Sequence, residues 1–132
     1  MFINLTAHDL LPEQINIAEQ SFGNVIQNPP ELEEIRQLLK NNCPDNKLGC
    51  IRMAKRLTET LNAIAQTAGE DVWVHVPIGS PFFMAEFVRW SDRTAKFYLV
   101  FSHSDRVSED QKQQDGTVKK VSSFKFKKFN VL

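Results

Sequence analysis

Residues 71–81 constrain the fold of this chain more than any other segment, because an apolar strand there runs directly into the start of a helix. Ser80 can cap that helix, and Pro81 has the backbone angle that a first helical residue needs. Gly79 allows the sharp turn in front of them. The first amides of such a helix have no partner within it, so the turn can hold an anion, although the same residues also make an ordinary helix cap.

The chain has 132 residues, and we expect residues 1–132 to form a single ligand-binding domain with its own core. Its sixteen basic and sixteen acidic side chains balance, which is not the composition of a protein that coats duplex nucleic acid. The sequence shows neither a basic leader followed by an apolar segment nor eighteen consecutive apolar residues. We therefore expect a cytoplasmic protein without a membrane partner.

The positive charge is concentrated near the C-terminus. Residues 116–132 contain five lysines and no acid, which leaves eleven basic and sixteen acidic side chains in residues 1–115. A local lysine cluster suits a compact anion beside a pocket, and lysines that alternate with phenylalanines equally suit an exposed edge strand that must not aggregate. Both interpretations remain open from the sequence.

Two cysteines, Cys43 and Cys50, lie seven residues apart. No further cysteine or nearby histidine completes a zinc-binding spacing, so no metal site is predicted. Spacing alone permits a disulfide, but two free thiols are expected in a reducing compartment.

Apolar periodicity divides the chain into alternating strands and helices. Helices are predicted at 12–22, 31–39, 48–68 and 81–90, and strands at 1–7, 24–27, 71–76 and 95–102. Residues 103–117 are predicted to form a polar loop with a turn at Asp115-Gly116, and residues 118–129 two short strands, as a hairpin or an edge strand. This order predicts an α/β sandwich of three layers with a mainly parallel sheet.

In a sheet of this kind, ligands bind beyond the carboxyl ends of the strands. The segments after the first, third and fourth predicted strands should therefore meet at one edge: Asn4–Asp9, Pro77–Pro81 and Ser102–Arg106. They offer imidazole, hydroxyl, amide and guanidinium groups and no carboxylate pair suited to a metal, which favours a phosphate-containing ligand bound without metal or cofactor. His8 is the candidate proton carrier, whereas His75 within its strand is expected to be structural.

Several of these residues also have simpler interpretations. His8 can be a loop residue bonded to the backbone, and Arg106 an exposed charge. Ser80, His8 and Asp105 could compose a hydrolase triad, although no spacing selects them.

Several segments of the chain resemble a known group of proteins. These are the opening residues Asn4–Gln14, the glycine turn after the third strand, the Ser102–Arg106 segment and the closing stretch Asp115–Phe126. Together they are similar to the small CRISPR-associated accessory proteins of type III systems that bind cyclic oligoadenylate, among which are stand-alone ring nucleases. The opening differs from the usual form of that group in having Ala7, in place of serine or asparagine, directly before His8.

The resemblance implies a Rossmann-like (CARF-like) fold and a cytoplasmic homodimer of antiviral defence that takes cyclic tetra-adenylate. It implies a metal-independent ring nuclease, in which the ribose 2′-hydroxyl attacks the neighbouring phosphorus and leaves a 2′,3′-cyclic phosphate. A non-catalytic sponge or sensor for the same messenger is the alternative, and an unrelated α/β interaction module is a third. The catalytic candidates are His8, Ser80 and Arg106, and the ligand-binding candidates are Asn4, Thr6, Asp9, Gly79, Pro81, Ser102, His103, Ser104, Lys119 and Lys120.

Overall fold

Strands and helices alternate along most of the chain in the computed structural model, which describes residues 1–132. The strands are β1 (Phe2–Asn4), β2 (Val25–Ile26), β3 (Trp73–Val76), β4 (Tyr98–Lys112) and β5 (Val118–Val131). The helices are α1 (Pro12–Phe22), α2 (Glu33–Asn41), α3 (Lys47–Ala68) and α4 (Pro81–Thr94), with one 3-10 turn at Pro30–Leu32 before α2.

The five strands form one mixed sheet in the order β2-β1-β3-β4-β5. β1 pairs in parallel with β2 and β3, β3 pairs in parallel with β4, and β4 and β5 are antiparallel. Asn4 lies opposite His75, and His75 opposite Val100, so these side chains share one face of the sheet. The predicted α/β architecture with a mainly parallel sheet and a C-terminal edge strand is confirmed.

Helices cover both faces of the sheet, because apolar residues alternate between the faces along the strands. Phe2 faces α1, and its ring centroid lies 5.3 Å from that of Phe22. The next residue, Ile3, faces the opposite way, into a core that β1 shares with α2, α3 and α4. Val74 and Leu99 belong to that same core.

Local capping residues set the limits of the helices. Asn46 accepts a hydrogen bond from the N–H of Gly49 at 2.8 Å and begins α3, and Gly69 at φ +67° ends it. Ser80 caps α4 by accepting from the N–H of Phe83 at 3.1 Å. The predicted helix starts near residues 12, 48 and 81 are confirmed, and α4 runs beyond its predicted end. None of the helices combines the length and the apolar character needed to cross a membrane.

β1 is shorter than the predicted strand over 1–7. The N–H and the hydroxyl of Thr6 turn back to Oδ1 of Asn4, at 3.3 and 2.8 Å, and this local turn ends the strand at Asn4.

The prediction of a polar loop over 103–117 is wrong for most of that segment. β4 continues to Lys112, and residues 102–112 pair with residues 118–129 of β5 beyond the end of β3. We refer to these two stretches as the β-arm. Polar residues are accommodated there because the arm is exposed to solvent and places opposite charges, such as Asp110 and Lys120, across from each other.

The predicted turn at Asp115-Gly116 is present at the tip of the arm, with Gly116 at φ +86°. The two short strands expected within 118–129 are one continuous strand, β5.

Replacing Phe87 by alanine should destabilise the fold strongly. Phe87 lies fully buried on α4, with ring centroids 5.9 Å from Phe83 and 6.3 Å from Phe97. The cavity left by the substitution should lower the free energy of unfolding by about 3–5 kcal/mol. Phe82 on the same helix is 50% exposed, so Phe82→Ala is the matched control and should cost about 0.5 kcal/mol. Urea unfolding measures both, and equal losses would contradict this orientation of α4.

Candidate functional site

A cavity of about 380 Å³ opens at the carboxyl ends of β1 and β3. The loops after these two strands line it together with Ser102, which follows the last residue of β4 paired with β3. The order of strands reverses here, because β2 lies on one side of β1 and β3 on the other. Open α/β sheets generally bind ligands at such a reversal. The lining residues are Thr6, Ala7, His8, Asp9, Leu10, Gln14, His75, Pro77, Ile78, Gly79 and Ser102.

The buried side chain of Asn4 organises the residues around this cavity. Its Nδ2 donates to the carbonyl of His8 at 2.8 Å and to Oε1 of Gln27 at 3.1 Å. Both partners are acceptors, so the orientation of the amide is fixed. Oδ1 must therefore face Thr6 on one side and Nδ1 of His75, at 3.0 Å, on the other.

His75 is held in the neutral state with its proton on Nδ1. Only 4% of the residue is exposed, and burial lowers its pKa from 6.5 to about 4. Nδ1–H donates to Oδ1 of Asn4, so Nε2 keeps its lone pair and accepts from the hydroxyl of Ser102. The rings of Phe2 and Phe129, with centroids 5.7 and 5.3 Å from the imidazole, fix its plane.

These three residues form a hydrogen-bonded chain, which we term the Asn4–His75–Ser102 relay. It contains a hydroxyl that lines the cavity, a neutral imidazole behind the hydroxyl, and an amide that orients the imidazole. Enzymes that activate a hydroxyl group use the same three roles. The relay can therefore take a proton from the cavity without exposing the histidine to solvent.

Backbone amides around the cavity are available to bind an anion. The N–H groups of Ala7, His8 and Gly79 donate to no group of the protein. Gly79 has φ +71°, and a side chain there would lie 3.0 Å from Sγ of Cys43 and 3.1 Å from the ring of Phe83. The turn thus requires glycine. Free amides on adjoining turns are suited to the oxygens of a phosphate.

Arg36 of α2 places a buried positive charge beside the loop after β1. Its Nε and Nη2 donate to the carbonyl of Thr6 at 3.1 and 2.8 Å, and its Nη1 donates to Oδ1 of Asn28 at 2.7 Å. The residue is 8% exposed, and no carboxylate pairs with it. Asp9 is the one acid in the cavity lining, and it forms no ion pair with Arg36.

The structure brings many of the predicted site residues to this cavity. The loop after β1 and the glycine turn after β3 meet there, in agreement with the rule for parallel sheets. The predicted residues that line the cavity or lie directly behind it are Asn4, Thr6, His8, Asp9, Gly79 and Ser102.

Ser80 and Pro81 lie at the start of α4, outside the lining of the cavity. The hydroxyl of Ser80 caps the helix, and its N–H donates to Sγ of Cys43 at 3.4 Å. Contact between Ser80 and a ligand stays a prediction.

The remaining predicted residues, His103, Ser104, Arg106, Lys119 and Lys120, lie on the β-arm. The prediction that Ser102–Arg106 forms a loop at the cavity is wrong, since the whole segment belongs to β4. Arg106 is about 13 Å along the strand from Ser102, and the two lysines, opposite Gln111 and Asp110, are about 30 Å away. Arg106 and Ser104 lie on the same face of the strand as Ser102. Within a single chain, the two lysines are too far from the cavity to line it.

The sequence did not predict that His75 joins the relay or that Arg36 lies beside the loop after β1. The mid-strand position of His75 predicts a structural histidine, and its burial agrees with that prediction. Its two hydrogen bonds nevertheless join it to residues of the two neighbouring strands. The only signal in the sequence is that Asn4 opens a segment expected at the edge of the sheet, and that His75 stands one residue before the end of the third predicted strand.

No cluster of three or more His, Cys, Asp or Glu side chains could hold a metal ion in this structure. Cys43 and Cys50 are free thiols, and Cys43 supports the turn before α4 by accepting from the N–H of Ser80.

The chain matches the family model described as the uncharacterized protein MJ1673 family over residues 1–130, and it belongs to that family. Comparisons with curated proteins and with solved structures found no match.

Acid should destabilise the protein through His75. Folding lowers the pKa of His75 from 6.5 to about 4, so the unfolded chain binds this proton more tightly. The contribution of neutral His75 to the free energy of unfolding is fully present above pH 6.5 and is lost as the pH falls towards 4. The total loss for this residue is roughly 3 kcal/mol.

His75→Gln should remove this part of the pH dependence, whereas His103→Gln, at an exposed position, should keep it. Urea unfolding at about pH 7 and about pH 4.5, on either side of the middle of this range, measures the difference. An unchanged pH dependence in His75→Gln would contradict the neutral, buried state of His75.

Proposed function

We propose that this member of the MJ1673 family binds cyclic oligoadenylate, with cyclic tetra-adenylate as the first candidate, and opens the ring as a metal-independent ring nuclease. The observation that carries the proposal is the Asn4–His75–Ser102 relay, which meets a cavity lined by free backbone amides. The resemblance of Asn4–Gln14 and Asp115–Phe126 to type III CRISPR accessory proteins supplies the ligand class. On this proposal the protein lowers CRISPR signalling in the cytoplasm.

The donors around the cavity suit a phosphodiester. The free N–H groups of Ala7, His8 and Gly79 can hold its non-bridging oxygens, and Arg36 adds positive potential from behind the loop. The strand order β2-β1-β3-β4, with its reversal between β1 and β3, supports a Rossmann-like (CARF-like) architecture, which binds nucleotides at this edge.

The relay supplies the proton acceptor for attack within the ring. Nε2 of His75 is already bonded to Ser102, so the ribose 2′-hydroxyl gives its proton to Oγ of Ser102 while Ser102 passes its own to Nε2. The 2′-oxygen bonds to the adjacent phosphorus, the bond from phosphorus to the 5′-oxygen breaks, and a 2′,3′-cyclic phosphate remains. His8, in the cavity lining, is the candidate acid that protonates the leaving 5′-oxygen.

The bound phosphodiester itself strengthens this base. In the free protein burial keeps the pKa of His75 at about 4, so at neutral pH the imidazole is neutral with a free lone pair but is a weak base. A negative charge in the cavity favours the imidazolium and raises that pKa. Proton transfer is thereby coupled to the presence of substrate.

The cavity has room for part of the ring only. Its volume of about 380 Å³ is near the lower limit for sites that enclose a drug-sized ligand, which span roughly 300–1,000 Å³. The other nucleotides of a four-membered ring must lie outside the cavity. A ligand with two-fold symmetry also suits a homodimer with two such cavities.

Incubation of purified protein with cyclic tetra-adenylate in EDTA tests the proposal. Ser102→Ala and His75→Gln should each lower the single-turnover rate by about 10²–10⁴, because each removes the proton acceptor. The Kd for the ring should change by less than about threefold, since neither side chain is proposed to hold phosphate.

Ser108→Ala, at an exposed serine on the same strand, is the matched control and should cleave at the wild-type rate. Intact ring after long incubation with micromolar wild-type protein would overturn the catalytic proposal.

A non-catalytic sponge for the same messenger is the second candidate, and one observation favours it. No lysine or arginine lines the cavity, so little direct cationic stabilisation is available to a charged phosphorane. Tight binding by calorimetry without product would select the sponge.

A further inference from the structure

The β-arm stands outside the part of the sheet that helices cover. β3 ends opposite Phe101, so beyond that point β4 pairs with β5 alone. None of the residues of the arm is buried. A two-stranded ribbon with both faces in water is marginally stable by itself. The arm therefore presents an uncovered surface that a partner can bind.

One face of the arm continues the hydrophobic core outwards. Phe129 packs on Phe2 and Phe22, and Phe126 lies 4.8 Å from Phe129 between ring centroids. Phe124 comes next and is 74% exposed. The register places these three β5 phenylalanines opposite Ser102, Ser104 and Arg106, which are alternate residues of β4 and so lie on one face. We refer to this surface as the phenylalanine face.

The charges of the phenylalanine face complement those of α1. By the same register, its charged residues are Arg106, Lys112, Lys120 and Asp110, an excess of two positive charges. α1, which packs on that side of the sheet, carries the exposed acids Glu13 and Glu19 and no basic residue. The chain as a whole is neutral, so two copies can meet without net repulsion.

We propose that two copies of this chain associate through their β-arms, with the phenylalanine face of each arm packed against α1 of the other. The contact is isologous, because each copy gives one arm and receives one. A single-stranded nucleic acid is the less favoured occupant, since its binders present a cationic groove along the backbone, and this face includes Asp110.

The arm is long enough to span α1 of a second copy. Eleven residues of β4 at about 3.3 Å each give a ribbon about 36 Å long, and a width of about 10 Å gives a face of about 360 Å². α1 has eleven residues and is about 16 Å long at about 1.5 Å per residue, so one arm can lie along its whole length.

The mass of the ligand-free full chain, measured by light scattering and sedimentation over a range of concentrations, tests the proposal. The wild type should be a dimer. Phe124→Ser should raise the dimer dissociation constant by about 30-fold or more, the effect of truncating a central interface anchor. Phe82→Ser, at a half-exposed phenylalanine on α4, is the matched control and should leave the dimer intact.

An exchange of charges between α1 and the arm tests the same contact independently, in case Phe124→Ser alters folding. Glu13→Lys with Glu19→Lys should weaken the dimer, and adding Arg106→Glu with Lys120→Glu should restore it. A monomeric wild type, an unchanged dimer in Phe124→Ser, or failure of the restoring pair would each overturn the proposal. A monomer that binds single-stranded oligoadenylate through Phe124 would overturn it in favour of a nucleic-acid surface. None of these measurements includes cyclic oligoadenylate, so they stand apart from the ring-nuclease test.

Discussion

The side chain of Asn4 takes part in five hydrogen bonds at a fully buried position, and the arrangement of the candidate site depends on them. Two bonds hold the loop after β1 through Thr6, one holds the carbonyl of His8, one reaches Gln27 after β2, and one reaches His75 on β3. A buried amide that lost a partner would incur a cost of about 1–3 kcal/mol, so the segments are held together as a set.

The orientation of that amide decides the chemistry of its neighbour. An acceptor facing Nδ1 of His75 fixes the proton there and leaves Nε2 as the acceptor for Ser102. Burial keeps the imidazole neutral, and its Nε2 is hydrogen-bonded to the hydroxyl of Ser102, which lines the cavity. The site thus combines a protected base with free backbone amides and carries little net charge, which suits a phosphodiester that brings its own charge.

Local signals predicted the helices and the glycine turn well, because a cap such as Asn46 or Ser80 acts within three residues of its partner. The long β4 strand could not be predicted this way, since its polar segment forms a strand only by pairing with β5 across the turn at the tip of the arm. The relay depends on the register of three strands, with Asn4 and His75 71 residues apart in the chain. Arg36 reaches Thr6 across 30 residues by a tertiary contact that no sequence period reports.

The central claim is that His75 is a neutral, buried imidazole with its proton on Nδ1 and its lone pair directed at Ser102. Nitrogen-15 NMR of the histidine side chains, followed through a pH titration, tests it most directly. The account predicts that His75 shows the Nδ1–H tautomer at neutral pH and titrates with a pKa of about 4. An Nε2–H tautomer, or titration near the ordinary histidine value of about 6.5, would contradict it.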